Sequence, residues 1–182
     1  MVTSFMSEPT PDFSLLKLVD THAHISFPQF DSDRERIIRQ IEDDTISLLV
    51  EIGTNVEDSE RAFRTVKGLR NAFFTAGVHP HDSGGLDKQG LLKLESLLLS
   101  DKAVAVGEIG LDFFRNLSPV EDQVRAFKEQ LELAARLDLP VVVHVREAYS
   151  EAYEILKKSG HFKGVIHAFS ADLEYARMFV EL

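Results

Sequence analysis

The chain has 182 residues and a formal net charge of −10, with 44% hydrophobic and 27% charged residues. This length and composition are typical of one globular domain with a real core. The sequence has no cysteine, which excludes disulfides and thiolate metal sites, so any metal must be held by histidine, aspartate and glutamate. No apolar run approaches the roughly 18 residues of a membrane span. These features favour a cytoplasmic protein.

The first 17 residues contain Pro9 and Pro11 and lack a basic region followed by an apolar core. They are therefore predicted to form a loose leader rather than a secretory signal, and the domain is predicted at residues 18–182. The strong negative charge repels nucleic acid at long range, which counts against a DNA- or RNA-binding module. It does not count against an enzyme whose metal ions contact phosphate.

Taken in chain order, apolar runs alternate with stretches of helical periodicity. Strands are predicted near residues 18–24, 46–53, 72–78, 103–109, 140–146 and 164–169. Helices are predicted at about 34–43, 56–69, 91–99, 119–137, 148–158 and from 172 onward. Ser118 is the expected N-cap of the fourth helix, and Ser170 or Asp172 that of the sixth.

Apolar strands alternating with helices predict βαβ units and a parallel sheet buried on both faces. A doubly wound sheet would bind its ligand at a switch point, whereas a (β/α)₈ TIM barrel places functional groups at the ends of many strands. Candidate ligands follow five different strands here, and no Gly-x-Gly-x-x-Gly follows the first, so the barrel is favoured. The chain supplies about six of the eight units. Either it is part of a longer polypeptide or a partner covers the gap, and an open barrel favours self-association.

The pair His22 and His24 ends the first strand. Side chains alternate faces along a strand, so both imidazoles point the same way and can ligate one metal ion. Glu108 follows the apolar run of the fourth strand in a glycine-flanked turn, where a carboxylate is costly unless it is paired or bound to a cation. Such a carboxylate can bridge two metals about 3.5–4 Å apart.

Further candidates follow later strands. His144 and His167 each end an apolar run, and with the first pair and Glu108 they make a donor set suited to Zn²⁺, Mn²⁺ or Fe, with Mg²⁺ suited to carboxylate alone. Arg146 shares the face of His144 and suits phosphate recognition.

Three further histidines and an aspartate complete the candidates. His79 and His81 bracket Pro80 after the third strand and are expected either to contact substrate or to hold a loop. Asp112 is expected to orient another group or to cap a turn. His161 lies in a polar stretch and is expected on the solvated surface.

These motifs together resemble the TatD family of metal-dependent deoxyribonucleases, within the wider amidohydrolase-like proteins. The resemblance runs from about residue 19 to the end. Five motifs carry it in order: Asp20-Thr21-His22-Ala23-His24, Gly77-Val78-His79-Pro80-His81, Gly107-Glu108-Ile109-Gly110-Leu111-Asp112-Phe113, His144-Val145-Arg146 and His167-Ala168-Phe169-Ser170.

The resemblance implies a TIM barrel with one to three divalent metal ions (Zn, Mn, Mg or Fe) and DNA as the substrate, often degraded from 3′ to 5′. It implies that the metal ligands are His22, His24, Glu108, His144 and His167. His79 is implied to contact substrate phosphate, beside His81 and Arg146. The family has a further metal-binding aspartate after its eighth strand, and this sequence has no counterpart for it.

Three functions are compatible with these residues. The first is phosphodiester hydrolysis by a metal-activated water, in which Glu108 and His79 take the catalytic roles. The second is a metal-dependent amidohydrolase or esterase acting on a small substrate, which would use the same ligands. The third is a non-catalytic metal-binding fragment. The negative net charge favours the hydrolase of a small substrate, whereas the order of the motifs favours phosphodiester hydrolysis.

Overall fold

The computed structural model describes residues 18–42, 46–161 and 163–182. Within them, strands and helices alternate in the predicted order. The strands are β1 (Leu18–Ala23), β2 (Ile46–Ile52), β3 (Ala72–Ala76), β4 (Ala103–Asp112), β5 (Val141–Arg146) and β6 (Gly164–His167). The helices are α1 (Arg34–Glu42), α2 (Val56–Val66), α3 (Lys88–Leu98), α4 (Val120–Leu137), α5 (Tyr149–Ser159) and α6 (Leu173–Val180). The predicted leader and the predicted end of the first helix at Asp43 lie outside the described residues.

All six strands form one parallel sheet whose spatial order follows the chain from β1 to β6. Helices α1 to α5 each return the chain to the next strand, because parallel strands need a crossover connection. The carboxyl ends of all six strands therefore share one edge of the sheet. This edge carries the candidate ligands.

The sheet is curled. In a flat sheet β1 and β6 would lie roughly 24 Å apart, at about 4.8 Å per strand. Instead, the rings of His22 on β1 and His167 on β6 stack with their centroids 3.4 Å apart. Six parallel strands bent in this way form the larger part of the predicted α/β barrel.

The core lies between the helices and the sheet. Phe74 of β3, Ile109 of β4 and Phe127 of α4 are fully buried, with aliphatic residues of the other strands around them. The apolar runs that predicted the strands supply this core, which explains why strand positions followed from sequence.

Three local predictions were wrong. Glu108 lies inside β4, not in a turn, because the strand continues to Asp112. Ser118 does not cap α4, whose N-cap is Pro119, and its hydroxyl donates instead to the His81 carbonyl at 2.7 Å. His161 is buried, not solvated, because its Nε2 pairs with the Leu139 carbonyl at 2.8 Å.

The predicted cap Asp172 is confirmed, since its carboxylate accepts from the Tyr175 N–H at the start of α6. None of the helices in the described parts of the chain combines the length and hydropathy needed to cross a membrane. A groove of about 500 Å³ runs along the β6 edge and is lined mainly by apolar side chains of β5, β6 and α6.

Candidate metal centre

The His-x-His pair stands at the carboxyl end of β1, with His22 in the strand and His24 directly after it. His24 Nδ1 lies 3.2 Å from the Ile52 carbonyl, to which only a protonated nitrogen can donate. This bond leaves the lone pair on Nε2 for a ligand, the arrangement usual in metal-binding histidines. Burial is the main cause that lowers the pKa of His24, and the neighbouring His22 adds to it. His24 is therefore neutral and able to ligate near pH 7.

The loop after His24 is held from two sides. The buried carboxylate of Glu51 accepts the backbone N–H groups of Ile25 and Ser26 at 2.9 and 2.8 Å. The Arg34 guanidinium donates to the carbonyls of Ile25, Ser26 and Phe27 at 2.8 to 3.0 Å. The carboxyl oxygens on the N–H donors and the guanidinium on the carbonyl acceptors fix this loop, and through it the position of His24.

Glu108 is the centre of the cluster. Its two oxygens face different histidines: Oε2 lies 3.4 Å from His22 Nε2, and Oε1 lies 3.2 Å from His144 Nδ1. Burial raises the pKa of this carboxyl, but hydrogen bonds from His144 and His22 outweigh it and the net pKa is well below the usual range. Glu108 is therefore an anion placed between two groups of imidazoles.

His144 is held between two carboxylates. Its Nδ1 faces Glu108, and its Nε2 lies 3.1 Å from Asp112 Oδ2. Burial lowers its pKa, but the hydrogen bond and charge of Glu108, with those of Asp112, more than offset this and the pKa is raised. Asp112 also lies 2.8 Å from His81 Nε2. The carboxylate of Asp112 thus orients two rings, which is one of the roles expected for it.

The tautomer of His79 follows from its contacts. The backbone N–H of His81 donates to His79 Nδ1 at 3.2 Å, so in the neutral ring the proton sits on Nε2. Burial lowers the pKa of His79 to about 3, with Glu108 partly opposing that shift. The Nε2–H group lies 3.9 Å from Glu108 Oε1. His79 therefore offers the centre a neutral hydrogen-bond donor.

Two groups of side chains bring their donor atoms within 4.8 Å of one another, and they share Glu108. One is His22, His24 and Glu108; the other is His79, Glu108 and His144. His167 belongs to neither group, but its ring stacks on His22 at an interplanar angle of 5°. Burial is the main cause that lowers the pKa of His167, and His22 contributes. All five expected ligands therefore meet at one end of the sheet.

The donor set fits divalent metals. Imidazole nitrogens and a carboxylate are the ligands that Zn²⁺ and Mn²⁺ accept. A buried anion between two groups of imidazoles matches a bridging carboxylate. Each group supplies three protein donors or fewer, so positions for water or substrate remain on a bound ion.

Arg146, the expected phosphate contact, is exposed at the end of β5. Its guanidinium lies over the ring of Phe114, 4.0 Å from the ring centroid. Within the described ranges no carboxylate lies within ion-pairing distance of it. Its N–H donors therefore remain available to an anion.

Sequence reasoning missed several residues that hold the site. Gln130 of α4 pairs with the N–H and carbonyl of Val78, just before His79. Gln123, seven residues earlier in α4, pairs in the same way with the backbone N–H and carbonyl of Asp112. A signal for both existed, because these glutamines recur on the apolar face of α4. The corresponding signal for Glu51 is that it is a charged residue within the apolar sequence of β2.

The chain is similar to known proteins of one family. Residues 19–182 match the family profile described as TatD related DNase. The chain is 36% identical over 165 residues to the 3′-5′ ssDNA/RNA exonuclease TatD of Cronobacter sakazakii, covering 88% of this chain and 62% of that protein. It is 32% identical over 162 residues to the uncharacterized metal-dependent hydrolase YabD of Bacillus subtilis, covering 88% and 64%.

A solved structure gives the same result. The TatD homologue YjjV of Escherichia coli K12 superposes with a TM-score of 0.82 at 32% identity. The match covers 90% of this chain and 64% of that one. The chain thus spans less than two thirds of the length of each of these three relatives.

Proposed function

The chain belongs to the TatD related DNase family, and on that premise we propose that it is a divalent-metal-dependent hydrolase that cleaves phosphodiester bonds in DNA. The observation that carries the proposal is the anionic Glu108 between two groups of imidazoles at the carboxyl end of the sheet. The relative from Cronobacter sakazakii is named for exonuclease action on single-stranded DNA and RNA, which makes a single strand the first substrate to test.

The proposed ligands are His22, His24, Glu108, His144 and His167, with one to three metal ions held among them. When bound, the metals would polarise a phosphoryl oxygen and lower the pKa of a water molecule. Glu108 holds the two groups of ligands together. Asp112 keeps Nδ1 of His144 turned towards Glu108 by accepting from its Nε2.

The remaining residues are assigned to the substrate. The neutral Nε2–H of His79 donates to a phosphoryl oxygen, a role that its tautomer supports better than that of a ligand through Nε2. The exposed Arg146 contacts a neighbouring phosphate through its planar fork of donors. His81, oriented by Asp112, lines the same side of the site.

Metal-dependent cleavage of a labelled single-stranded oligonucleotide tests this function. Protein stripped with a chelator is expected to be inactive and to recover when Mn²⁺, Mg²⁺ or Zn²⁺ is added. His24→Ala is expected to abolish cleavage, while His161→Gln, at a buried histidine outside the cluster, keeps it. Cleavage by His24→Ala at the wild-type rate would contradict the assignment.

A metal-dependent amidohydrolase or esterase remains the second candidate, because the net charge of −10 disfavours a polyanionic substrate. A panel of small amides, lactones and esters, assayed beside the oligonucleotide, separates the two. Turnover of a small amide without cleavage of DNA would favour the second candidate. Metal binding without any turnover would favour a non-catalytic protein.

A further inference from the structure

Phe114 is an exposed aromatic residue at the rim of the candidate site. It lies in the loop between β4 and α4, where 61% of its surface is accessible to solvent. A single exposed apolar side chain is common on protein surfaces. Phe114 differs because Asp112 fixes its backbone and the Arg146 guanidinium packs against its ring.

The loop that carries Phe114 is anchored to the site itself. Asp112 Oδ1 accepts the backbone N–H groups of Phe114 and Arg115 at 3.1 and 2.8 Å. The other oxygen of the same carboxylate orients His81 and His144. One side chain therefore fixes both the exposed ring and two histidines of the cluster.

The ring is also paired with the residue assigned to phosphate. The Arg146 guanidinium lies 4.0 Å from the centroid of the Phe114 ring. Arg146 is two residues from His144 in β5, so both point to the same side of the strand. A cation and an aromatic face side by side match the two parts of a nucleotide, its phosphate and its base.

Base stacking would also provide binding free energy that the net negative charge of the chain does not oppose. A chain with a net charge of −10 gains little from long-range attraction to a polyanion. Aromatic stacking needs no net charge and is tolerant of base identity, because every base presents a π face. A few such contacts, with local cations, are the usual means of holding a single strand.

We propose that the Phe114 ring, backed by the Arg146 guanidinium, forms a stacking subsite for a nucleobase next to the scissile phosphate. The proposal rests on the phosphodiesterase function above. It requires a strand with unpaired bases, because a base inside a duplex is already stacked between its neighbours and would have to be extruded at a cost in free energy.

Two labelled hexamers test the subsite. One is (dT)₆, and the other has the same phosphates but an abasic tetrahydrofuran at every position. Both carry a 5′-³²P label, which adds no aromatic group. Their hydrolysis is followed on gels with Mn²⁺, and their binding to the metal-loaded protein is followed by filter retention with Ca²⁺ in place of Mn²⁺, on hexamers that the gels show to be intact.

Wild-type protein is expected to prefer (dT)₆ in both assays. Phe114→Ala should raise KM and Kd for (dT)₆ by about 10-fold and leave the abasic hexamer nearly unchanged. Phe114→Trp should retain the preference. Leu117→Ala is the matched control, because Leu117 is 65% exposed on the same loop, and it should behave as wild type. Unchanged thermal unfolding verifies that the variants fold.

The inference is overturned if Phe114→Ala weakens both hexamers equally, if Leu117→Ala removes the same preference, or if the wild type binds the two alike. Failure of the proposed function is a separate result. Wild-type protein would then hydrolyse neither hexamer, while a preference for (dT)₆ in filter binding that is lost in Phe114→Ala would still support the subsite.

Discussion

The buried carboxylate of Glu51 makes the stability of the fold depend on pH. Burial raises its pKa from 4.5 to about 7, Asp58 adds to the rise, and the hydrogen bonds from Ser26 and Ile25 partly oppose it. Between these two pKa values the folded chain holds a proton that the unfolded chain has lost. The free energy of unfolding therefore falls as the pH rises from about 4.5 to about 7.

The magnitude follows from the shift. About 2.5 pKa units at about 1.4 kcal/mol per unit give roughly 3 kcal/mol. Glu51→Gln has the shape of the neutral acid and no proton to lose, so this dependence should be absent. The difference in unfolding free energy between variant and wild type is expected to move by about 3 kcal/mol in favour of the variant as the pH rises.

Urea unfolding of both proteins at about pH 5 and about pH 8 measures this difference. Glu57→Gln, at an exposed carboxylate of α2, controls for the loss of one negative charge. A difference between Glu51→Gln and wild type that is the same at both pH values, or that moves the other way, would refute the reasoning.

Three further predictions concern the backbone around the site and are checked by urea unfolding. Gly110→Ala should cost about 3 kcal/mol or more, because Gly110 has a φ of +134° and the new Cβ would clash with the His144 carbonyl oxygen. The control Gly160→Ala should cost only about 1 kcal/mol, because its φ of +66° is also positive but its new Cβ would meet no other atom. Gln130→Leu should cost about 2–4 kcal/mol by leaving the N–H and carbonyl of Val78 unpaired, and the exposed Gln40→Leu little. Arg34→Lys should cost about 1–3 kcal/mol because Arg34 donates to the carbonyls from two separate nitrogens, Nε and Nη2, and a single ammonium nitrogen cannot occupy both positions. The control is Arg36→Lys, at an exposed arginine. A variant no more destabilised than its control would contradict the corresponding contact.

The strands could be predicted because each is an apolar run, and the fold buries most of β3, β4 and β5. The predicted burial of the sheet on both faces is wrong for the outer strands, where Leu18, Val19 and Val165 are exposed. The His-x-His pair could be placed because the period of a strand determines its direction. What the sequence could not give is the curl of the sheet, which brings His22 and His167 from its two outer strands into contact. Local pattern does not encode contacts between strands that are far apart in the chain.

The errors have a common cause. The sequence neighbours of His161 and Ser118 predict the wrong roles for them, because each side chain bonds a carbonyl more than 20 residues away. The same holds for Glu51, whose partners lie in the loop after β1. Polar side chains in the interior take their roles from long-range partners, which only the fold brings within reach.

The central claim is that Glu108 joins two groups of imidazoles into one metal centre. Calorimetric titration of chelator-treated protein with Mn²⁺ tests it most directly, in wild type and in Glu108→Gln, which keeps the shape and removes the charge. We expect saturable binding by the wild type and at least about 100-fold weaker binding by the variant. Equal affinity in the two proteins, or no binding by the wild type, would contradict the claim.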